Sequence, residues 1–192
     1  MDFKIKKATP EKTKTDALIL PVFEGNVLGS CADTLSEATR AHLQDMLAHG
    51  DIKGKAGDTL ILNTVTDTTA KRIVLMGLGK ANEQTEASLR KALTAAANAV
   101  KGTATKDAAL AMDDIQVIDR DTEWAARQVV EQFESAIYTF NTFKSKANHK
   151  QISLKKLTLL SNADTKGAEQ GAKIGKAIAN GYPISVVTGK KE

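Results

Sequence analysis

Short apolar runs, each long enough for one strand, alternate along this chain with longer stretches of helical periodicity, and this alternation constrains the fold most. The run Ala17–Phe23 is continuously apolar, as expected of a strand buried on both sides. The predicted strands are Phe3–Lys7, Ala17–Phe23, Thr59–Leu62, Arg72–Met76, Ala108–Met112 and Leu154–Leu160, and the predicted helices cover about 35–49, 85–100, 121–138 and 168–179. Elements that alternate in this way predict a three-layer α/β fold, with a partly parallel sheet covered by helices on both faces.

Local motifs predict where two of these helices begin, end and pack. Thr34-Leu35-Ser36-Glu37 has the spelling of a capping box, in which a hydroxyl and a carboxylate satisfy the first free amides of a helix. Gly171 and Gly175 lie four residues apart, which predicts close backbone packing of the last helix. Pro183 is expected to end that helix, so that residues 182–192 form an unmatched, solvated tail.

Composition excludes several classes of protein. With 42% hydrophobic and 26% charged residues among 192, the chain is an ordinary globular domain rather than a disordered one. Cys31 is the only cysteine, which excludes an intrachain disulfide and a thiolate-rich metal site. No run approaches the roughly 18 apolar residues of a membrane helix, and the N-terminus lacks a signal-peptide pattern, so we expect a cytoplasmic protein without membrane contact. The net charge of +4 permits a polyanionic partner without requiring one.

Candidates for metal binding and for nucleophilic catalysis are weak. The histidines lack the i,i+4 spacing of a chelating pair and are interpreted as surface residues; they are His42, His49 and His149. Carboxylates of Asp113, Asp114, Asp119 and Asp121 could hold a hard cation, but helix entry and surface charge explain these residues better. The chain has no Gly-x-Ser-x-Gly motif, and Cys31 has no histidine nearby in sequence. We therefore predict neither a metal site nor a catalytic residue.

The segment Gly77-Leu78-Gly79-Lys80 joins a predicted strand to a predicted helix. Such junctions can hold anions through backbone amides and the helix dipole, so Gly77, Gly79 and Lys80 are the candidate anion or nucleotide site. The segment is not a P-loop, and Asn82 replaces the third glycine of a dinucleotide-binding motif. A tight turn without a ligand remains the simpler interpretation.

A basic run near the predicted last strand is the candidate DNA-binding surface. It consists of Lys144, Lys146, Lys150, Lys155 and Lys156. Ammonium groups in such a run can neutralise phosphates. No aromatic residue follows Phe143 within the run to stack on bases, which argues against recognition of a single strand. A solvated loop is the competing interpretation.

Several of these segments, in this order, resemble the N-terminal domain of leucyl (cytosol) aminopeptidases. Arg72–Lys80 is similar to the family's strand and turn, with Gly57–Leu62 before it and the helix that carries Arg90–Leu93 after it. Ala136–Ser145 resembles the family's Tyr-x-Phe-x-x-Tyr/Phe-Lys motif. Gly167–Gly181 resembles the helix that leads into the catalytic domain. The resemblance therefore extends from the start of the chain to about Gly181.

The resemblance implies a macro-domain-like mixed sheet over residues 1–181. In the family, a second domain binds two divalent metals through Asp, Glu and Lys and activates a water for attack on the peptide bond. Those ligand motifs do not occur in this sequence, and the match is lost from Tyr182 onward. We therefore expect a chain that lacks the catalytic domain, carries no cofactor and is inactive alone. Its expected partners are an aminopeptidase catalytic domain or further copies of the chain.

The sequence leaves three functions open. Assembly or regulation of an aminopeptidase is the favoured one. A macro-like module could instead bind ADP-ribose or a related nucleotide at Gly77–Lys80, although a fold by itself does not transmit ligand identity. Some bacterial members of the resembled family also act on DNA, for which Lys144–Lys156 would supply the surface.

Overall fold

The computed structural model describes residues 1–63, 65–138 and 153–188 of the chain, with side chains as far as Gly181. The strands are β1 (Asp2–Lys6), β2 (Ala17–Phe23), β3 (Val27–Leu28), β4 (Thr59–Asn63), β5 (Arg72–Gly77), β6 (Asp107–Ala111) and β7 (Lys156–Leu160). The helices are α1 (Glu37–His49), α2 (Glu86–Lys101), α3 (Thr122–Ile137) and α4 (Thr165–Thr188), and a 3₁₀ helix covers Ser30–Thr34. All six predicted strands and all four predicted helices are present, whereas β3 and the 3₁₀ helix were not predicted.

The strands form one mixed sheet in the order β1-β7-β6-β2-β5-β4, with the two-residue β3 paired to β2. The pairs from β1 through β5 along this path are parallel. At the far edge β4 runs antiparallel to its neighbour β5, and the short β3 runs antiparallel to β2. The sheet is thus largely parallel, and helices cover both of its faces. This arrangement confirms the predicted three-layer, macro-domain-like α/β fold.

Strand β2 divides the hydrophobic core into two parts because alternate residues of a strand point to opposite faces. Ala17 and Ile19 belong to the larger part, which α2, α3 and α4 cover. Leu18 and Leu20 belong to the smaller part, in which α1 contributes Leu43. These residues of β2 are fully buried, as the unbroken apolar run predicted.

Helices α3 and α4 pack closely along a seam of glycines. A Cβ atom added at Gly171 would collide with the carbonyl oxygen of Glu123, and one added at Gly175 would lie 2.8 Å from that of Arg127. Ala168 and Ala172 of α4 are buried along the same helix. The predicted close packing through the two glycines is therefore confirmed.

The predicted capping box at the start of α1 is wrong. Thr34 ends the 3₁₀ helix, and its hydroxyl donates to the carbonyl oxygen of Cys31 at 3.0 Å. The backbone is then extended at Leu35, so the first residue placed to cap α1 is Ser36, whose Oγ accepts the amide of Thr39 at 3.2 Å. The sequence has the residues of a capping box at 34–37, but Thr34 belongs to the preceding 3₁₀ helix and the cap of α1 lies two residues later, at Ser36.

The predicted end of the last helix is also wrong. Helix α4 continues through Pro183 to Thr188, so most of the predicted tail is helical, while residues 189–192 lie outside the described residues. A proline inside a helix removes one backbone hydrogen bond and crowds the carbonyl of the preceding turn, but the bonds on either side can remain. Among the described residues, no helix, α4 included, has the length and apolarity needed to cross a membrane.

Candidate functional site

The loops that follow β2, β5, β6 and β7 meet at one edge of the sheet, because these four strands are parallel neighbours. In open α/β sheets, ligands bind in the crevice at the carboxyl ends of the strands. The candidate anion loop Gly77–Lys80 follows β5, and the acidic pair Asp113-Asp114 follows β6. This edge is therefore where a functional site is expected, and its hydrogen bonds decide what it can do.

The Asp114 carboxylate holds the start of the 3₁₀ helix. Its Oδ1 accepts the Ser30 amide at 2.8 Å and the Ser30 hydroxyl at 2.5 Å, while Oδ2 accepts the Cys31 amide at 2.9 Å. Asp114 is only 8% exposed, and Gln84 Nε2 donates to its backbone oxygen at 3.0 Å. Both carboxylate oxygens are thus occupied by donors of the protein itself. The interpretation of Asp114 as surface charge is wrong, since this buried residue connects the segment after β3 to the loop after β6.

The neighbouring Asp113 connects a third loop to the same edge. Its Oδ1 accepts the amide of Asn162 at 3.0 Å, and its Oδ2 accepts the Asn162 side-chain amide at 3.0 Å. Asn162 follows β7, so the two aspartates connect the segments after β3 and β7 to the end of β6. Asp121, by contrast, caps α3 by accepting the Trp124 amide at 2.8 Å, which confirms helix entry for that residue.

The backbone amides of Gly77–Gly79, which an anion would need, already have partners. They donate to carbonyl oxygens at 2.9 Å each, namely those of Asp58, Val22 and Gly54 respectively. A Cβ atom at Gly77 would also collide with the backbone oxygen of Lys55, so this position requires glycine for a close approach of two backbone segments. The loop is a densely bonded turn.

Lys80 supplies the remaining candidate donor of this loop. Its Nζ lies 3.1 Å from Glu83 Oε2, and both side chains are exposed, so the pair is an ordinary surface ion pair. An anion at this loop would depend on Lys80 alone, in competition with Glu83. The anion or nucleotide site at Gly77, Gly79 and Lys80 stays a prediction.

The basic run predicted as a DNA surface falls only partly within the described residues. Lys144, Lys146 and Lys150 lie outside them. Lys155 is exposed, whereas the Lys156 Nζ forms an ion pair at 2.7 Å with Asp107 Oδ2 on β6. Lys156 is therefore committed in part to a partner within the sheet, and DNA binding by this run stays a prediction.

The described part of the chain contains no group of three or more His, Cys, Asp or Glu side chains placed to hold a metal ion. His42 and His49 are exposed on α1, where His49 Nδ1 lies 2.7 Å from the Asp45 carbonyl oxygen, and His149 lies outside the described residues. The acidic residues at the carboxyl edge are occupied by protein donors. These residues do not fit the pair of divalent metals that the resemblance implies for a second domain.

A mixed, mainly parallel sheet between helical layers, with its carboxyl edge closed by the protein's own hydrogen bonds, places the chain in the class of macrodomain-like α/β domains. A macrodomain from Oceanobacillus iheyensis has this fold, with a TM-score of 0.65 at 15% identity over 92% of each chain. A tomato leucine aminopeptidase mutant also has it, with a TM-score of 0.72 at 19% identity, over 94% of this chain and 36% of that one. At these identities the two structures establish the fold alone.

Sequence comparison identifies the family. The model of the cytosol aminopeptidase family, N-terminal domain, matches residues 19–147. The cytosol aminopeptidase of Pseudomonas aeruginosa is 40% identical over 186 residues, which are 96% of this chain and 37% of the relative. The chain therefore belongs to the cytosol aminopeptidase family, as its resemblance to leucyl aminopeptidases predicted, and corresponds to the N-terminal domain. It spans little more than a third of the length of the curated relatives that it matches.

Proposed function

We propose that this domain is the non-catalytic assembly or regulatory part of a cytoplasmic leucyl aminopeptidase. The observation that carries the proposal is the alignment of almost the whole chain with 37% of a cytosol aminopeptidase. The complete enzyme would remove N-terminal amino acids from peptides, with two divalent metals held by a separate domain. The carboxylates at the carboxyl edge of this domain, Asp113 and Asp114, instead hold loops together.

Helix α4 supports a role in positioning a partner. Gly171 and Gly175 let α4 pack directly against the backbone of α3. This packing determines the direction of α4. Ile178 on this helix is 37% exposed, although most large apolar side chains of the described residues are buried. An aminopeptidase catalytic domain or a second copy of the chain, packed at Ile178, would cover this exposed side chain.

The first test asks whether the domain is inactive alone. We expect the purified 192-residue chain to release no p-nitroaniline from leucine p-nitroanilide in the presence of manganese or zinc, because its described residues include no group placed to hold the metal that would activate a water. The Pseudomonas aeruginosa cytosol aminopeptidase, assayed in parallel, is the positive control. Turnover that copurifies with the chain through several columns would contradict a non-catalytic role.

The second test asks whether the domain supports a catalytic domain. In a chimera, this chain replaces the corresponding N-terminal part of the Pseudomonas aeruginosa enzyme, and oligomeric state and peptidase activity are measured. We expect the chimera to assemble and to be active, and the Ile178→Glu variant to assemble less well. Gln170→Glu adds the same charge at an exposed position of α4 and serves as the matched control. A chimera with the same assembly and activity as the enzyme without any N-terminal domain would contradict the proposal.

A further inference from the structure

A basic cavity lies on the opposite face of β1, β7 and β6 from α3 and α4. Register places Lys4, Thr158 and Ala109 side by side, because Lys4 pairs with Thr158 and Thr158 with Ala109 in parallel ladders. Phe3 and Ile5, which alternate with Lys4, pack into the larger core, so the lysine points to the other face. The loop between β1 and β2 borders the cavity, whose volume is about 200 Å³.

The charge around this cavity is strongly positive. Four lysines line it against a single carboxylate, that of Asp107; they are Lys4, Lys6, Lys14 and Lys156. Asp107 is already paired with Lys156 at 2.7 Å. Within the described ranges, Lys4, Lys6 and Lys14 form no ion pair. Three ammonium groups are therefore available to an anion.

The floor of the cavity offers a hydroxyl donor. Thr158 is 8% exposed and lines the cavity, yet its hydroxyl has no hydrogen-bond partner in the described part of the chain. The other two threonines that line the cavity already have partners. The Thr15 hydroxyl donates to the backbone oxygen of Asp107 at 3.0 Å, and the Thr13 hydroxyl donates to the backbone oxygen of Thr9 at 2.8 Å. The Thr158 hydroxyl is not fully enclosed by protein atoms, so it can donate to a ligand that enters the cavity.

We propose that this cavity binds a phosphate group, with the Thr158 hydroxyl donating to one oxygen and the ammonium groups of Lys4, Lys6 and Lys14 surrounding the others. Charge-assisted hydrogen bonds of this kind are about twice as strong as neutral ones. The volume is below the roughly 300 Å³ of the smallest ordinary small-molecule sites, so the cavity holds the phosphate group and leaves the rest of any phosphate ester in solvent. The group comes either from a free phosphate or phosphomonoester, or from a nucleic-acid backbone.

The lysines could instead protect an edge of the sheet, and the experiment must distinguish this role from phosphate binding. Strand β1 is an edge of the sheet, and lysines on edge strands discourage pairing with other chains. That role requires the charge of Lys4 and Lys6 but neither the Thr158 hydroxyl nor Lys14. Substitution of Thr158 therefore distinguishes a built site from a protected edge.

The test is a titration of the isotopically labelled 192-residue chain with inorganic phosphate at constant ionic strength, followed by amide shifts in two-dimensional NMR. Saturating shifts are expected at Lys4, Lys14 and Thr158, with none in a matched chloride titration. Thr158→Val keeps the shape of the side chain and removes the donor, and it should weaken phosphate binding by a few-fold. The double variant Lys4→Gln/Lys14→Gln should weaken it by about tenfold or more, since each lost contact is a charge-assisted hydrogen bond.

The matched control is the double variant Lys53→Gln/Lys166→Gln, which removes the same charge from exposed positions that do not line the cavity. It should bind phosphate as the parent does, and the spectra show directly whether each variant is folded. Equal losses in the two double variants, unchanged binding by Thr158→Val, or shifts that never saturate would each overturn the proposal.

The source of the phosphate is settled by repeating the titration with a phosphomonoester and with a short DNA duplex. Duplex binding that falls in Thr158→Val as phosphate binding does would assign the cavity to the nucleic-acid backbone. Two results would assign the cavity to free phosphate or a phosphomonoester. One is no binding of the duplex, and the other is duplex binding that Thr158→Val leaves unchanged while phosphate binding falls.

Discussion

Asp114 and Cys31 show how one buried carboxylate shapes its surroundings at the scale of single residues. The Asp114 carboxylate accepts the amides of Ser30 and Cys31, and this contact orients the short 3₁₀ helix over the smaller core. The Cys31 thiol is buried beside the same carboxylate. Burial, followed by the hydrogen bond and the negative charge of Asp114, raises the pKa of Cys31 well above the ordinary thiol value of 9.0. The folded protein therefore keeps Cys31 as a neutral, poorly reactive thiol.

This pKa shift predicts a loss of stability in alkaline solution. The unfolded thiol ionises near pH 9.0 while the folded thiol stays neutral, so the contribution of Cys31 is complete below pH 9.0 and declines as the pH rises above it. Relative to Cys31→Ala, the free energy of unfolding should fall by about 1.4 kcal/mol for each pH unit above that point. Urea denaturation of both proteins across the alkaline range measures the difference. Parallel stability curves would show that the pKa of Cys31 is the same in both states.

At the scale of elements, the contact between α3 and α4 is the feature most sensitive to substitution. Helix α2 has a regular start, since Thr85 and Ser88 form a reciprocal capping box, and its leucines face the sheet. Helix α4 instead contributes mainly small residues to its contact with α3, so its position depends on the close approach that Gly171 and Gly175 permit. A methyl group added at either glycine has to displace the backbone of α3, which moves much less readily than a side chain.

Alanine substitutions within α4 should therefore have opposite effects at two glycines. Gly171→Ala is expected to destabilise the protein by about 1–3 kcal/mol, because the new methyl group collides with the Glu123 carbonyl oxygen. A Cβ atom added at Gly181 would have no heavy atom within 4 Å. Gly181→Ala should therefore stabilise α4 by about 0.5–1 kcal/mol, because alanine has the higher helix propensity. Chemical denaturation measures both values. A neutral Gly171→Ala variant would show that the two helices can separate without cost.

The central strands link the two cores at the scale of the whole molecule. Strand β2 contributes Ile19 to one core and Leu18 to the other, so the two cores share this strand. The chain has a single tryptophan and a single cysteine, and these report on opposite faces. The guanidinium groups of Arg90 and Arg120 lie 5.9 and 5.5 Å from the ring centre of Trp124, which packs against the larger core. Cys31 lies in the smaller core.

We therefore expect both cores to unfold in one cooperative transition. Trp124 fluorescence and the reactivity of Cys31 towards a thiol reagent should show the same midpoint in a denaturant titration. Far-ultraviolet circular dichroism supplies the control, since it follows the helices and strands of both faces. A lower midpoint for Cys31 than for Trp124 would mean that the α1 side opens separately.

Most of the fold could be predicted from the sequence because its determinants are local. Strand β2 begins and ends where the apolar run does, and α2 follows Thr85 as predicted. The failures at Thr34 and Pro183 have a common origin, since both residues carry strong local preferences that neighbouring structure overrides. The structural role of Asp114 could not be predicted, because its partners Ser30 and Cys31 lie more than eighty residues away in the chain.

The sequence by itself determined the order and type of the elements, the two buried faces of β2 and the family, because hydrophobic periodicity and motifs are properties of neighbouring residues. Only the tertiary structure decided which strands pair and in what register. That register places Lys4, Thr158 and Ala109 in one row although they belong to three separate strands. Register depends on hydrogen bonds and burial across the whole sheet, and a shift of one residue would turn Lys4 and Thr158 to the opposite face. The cavity therefore exists only in the folded chain.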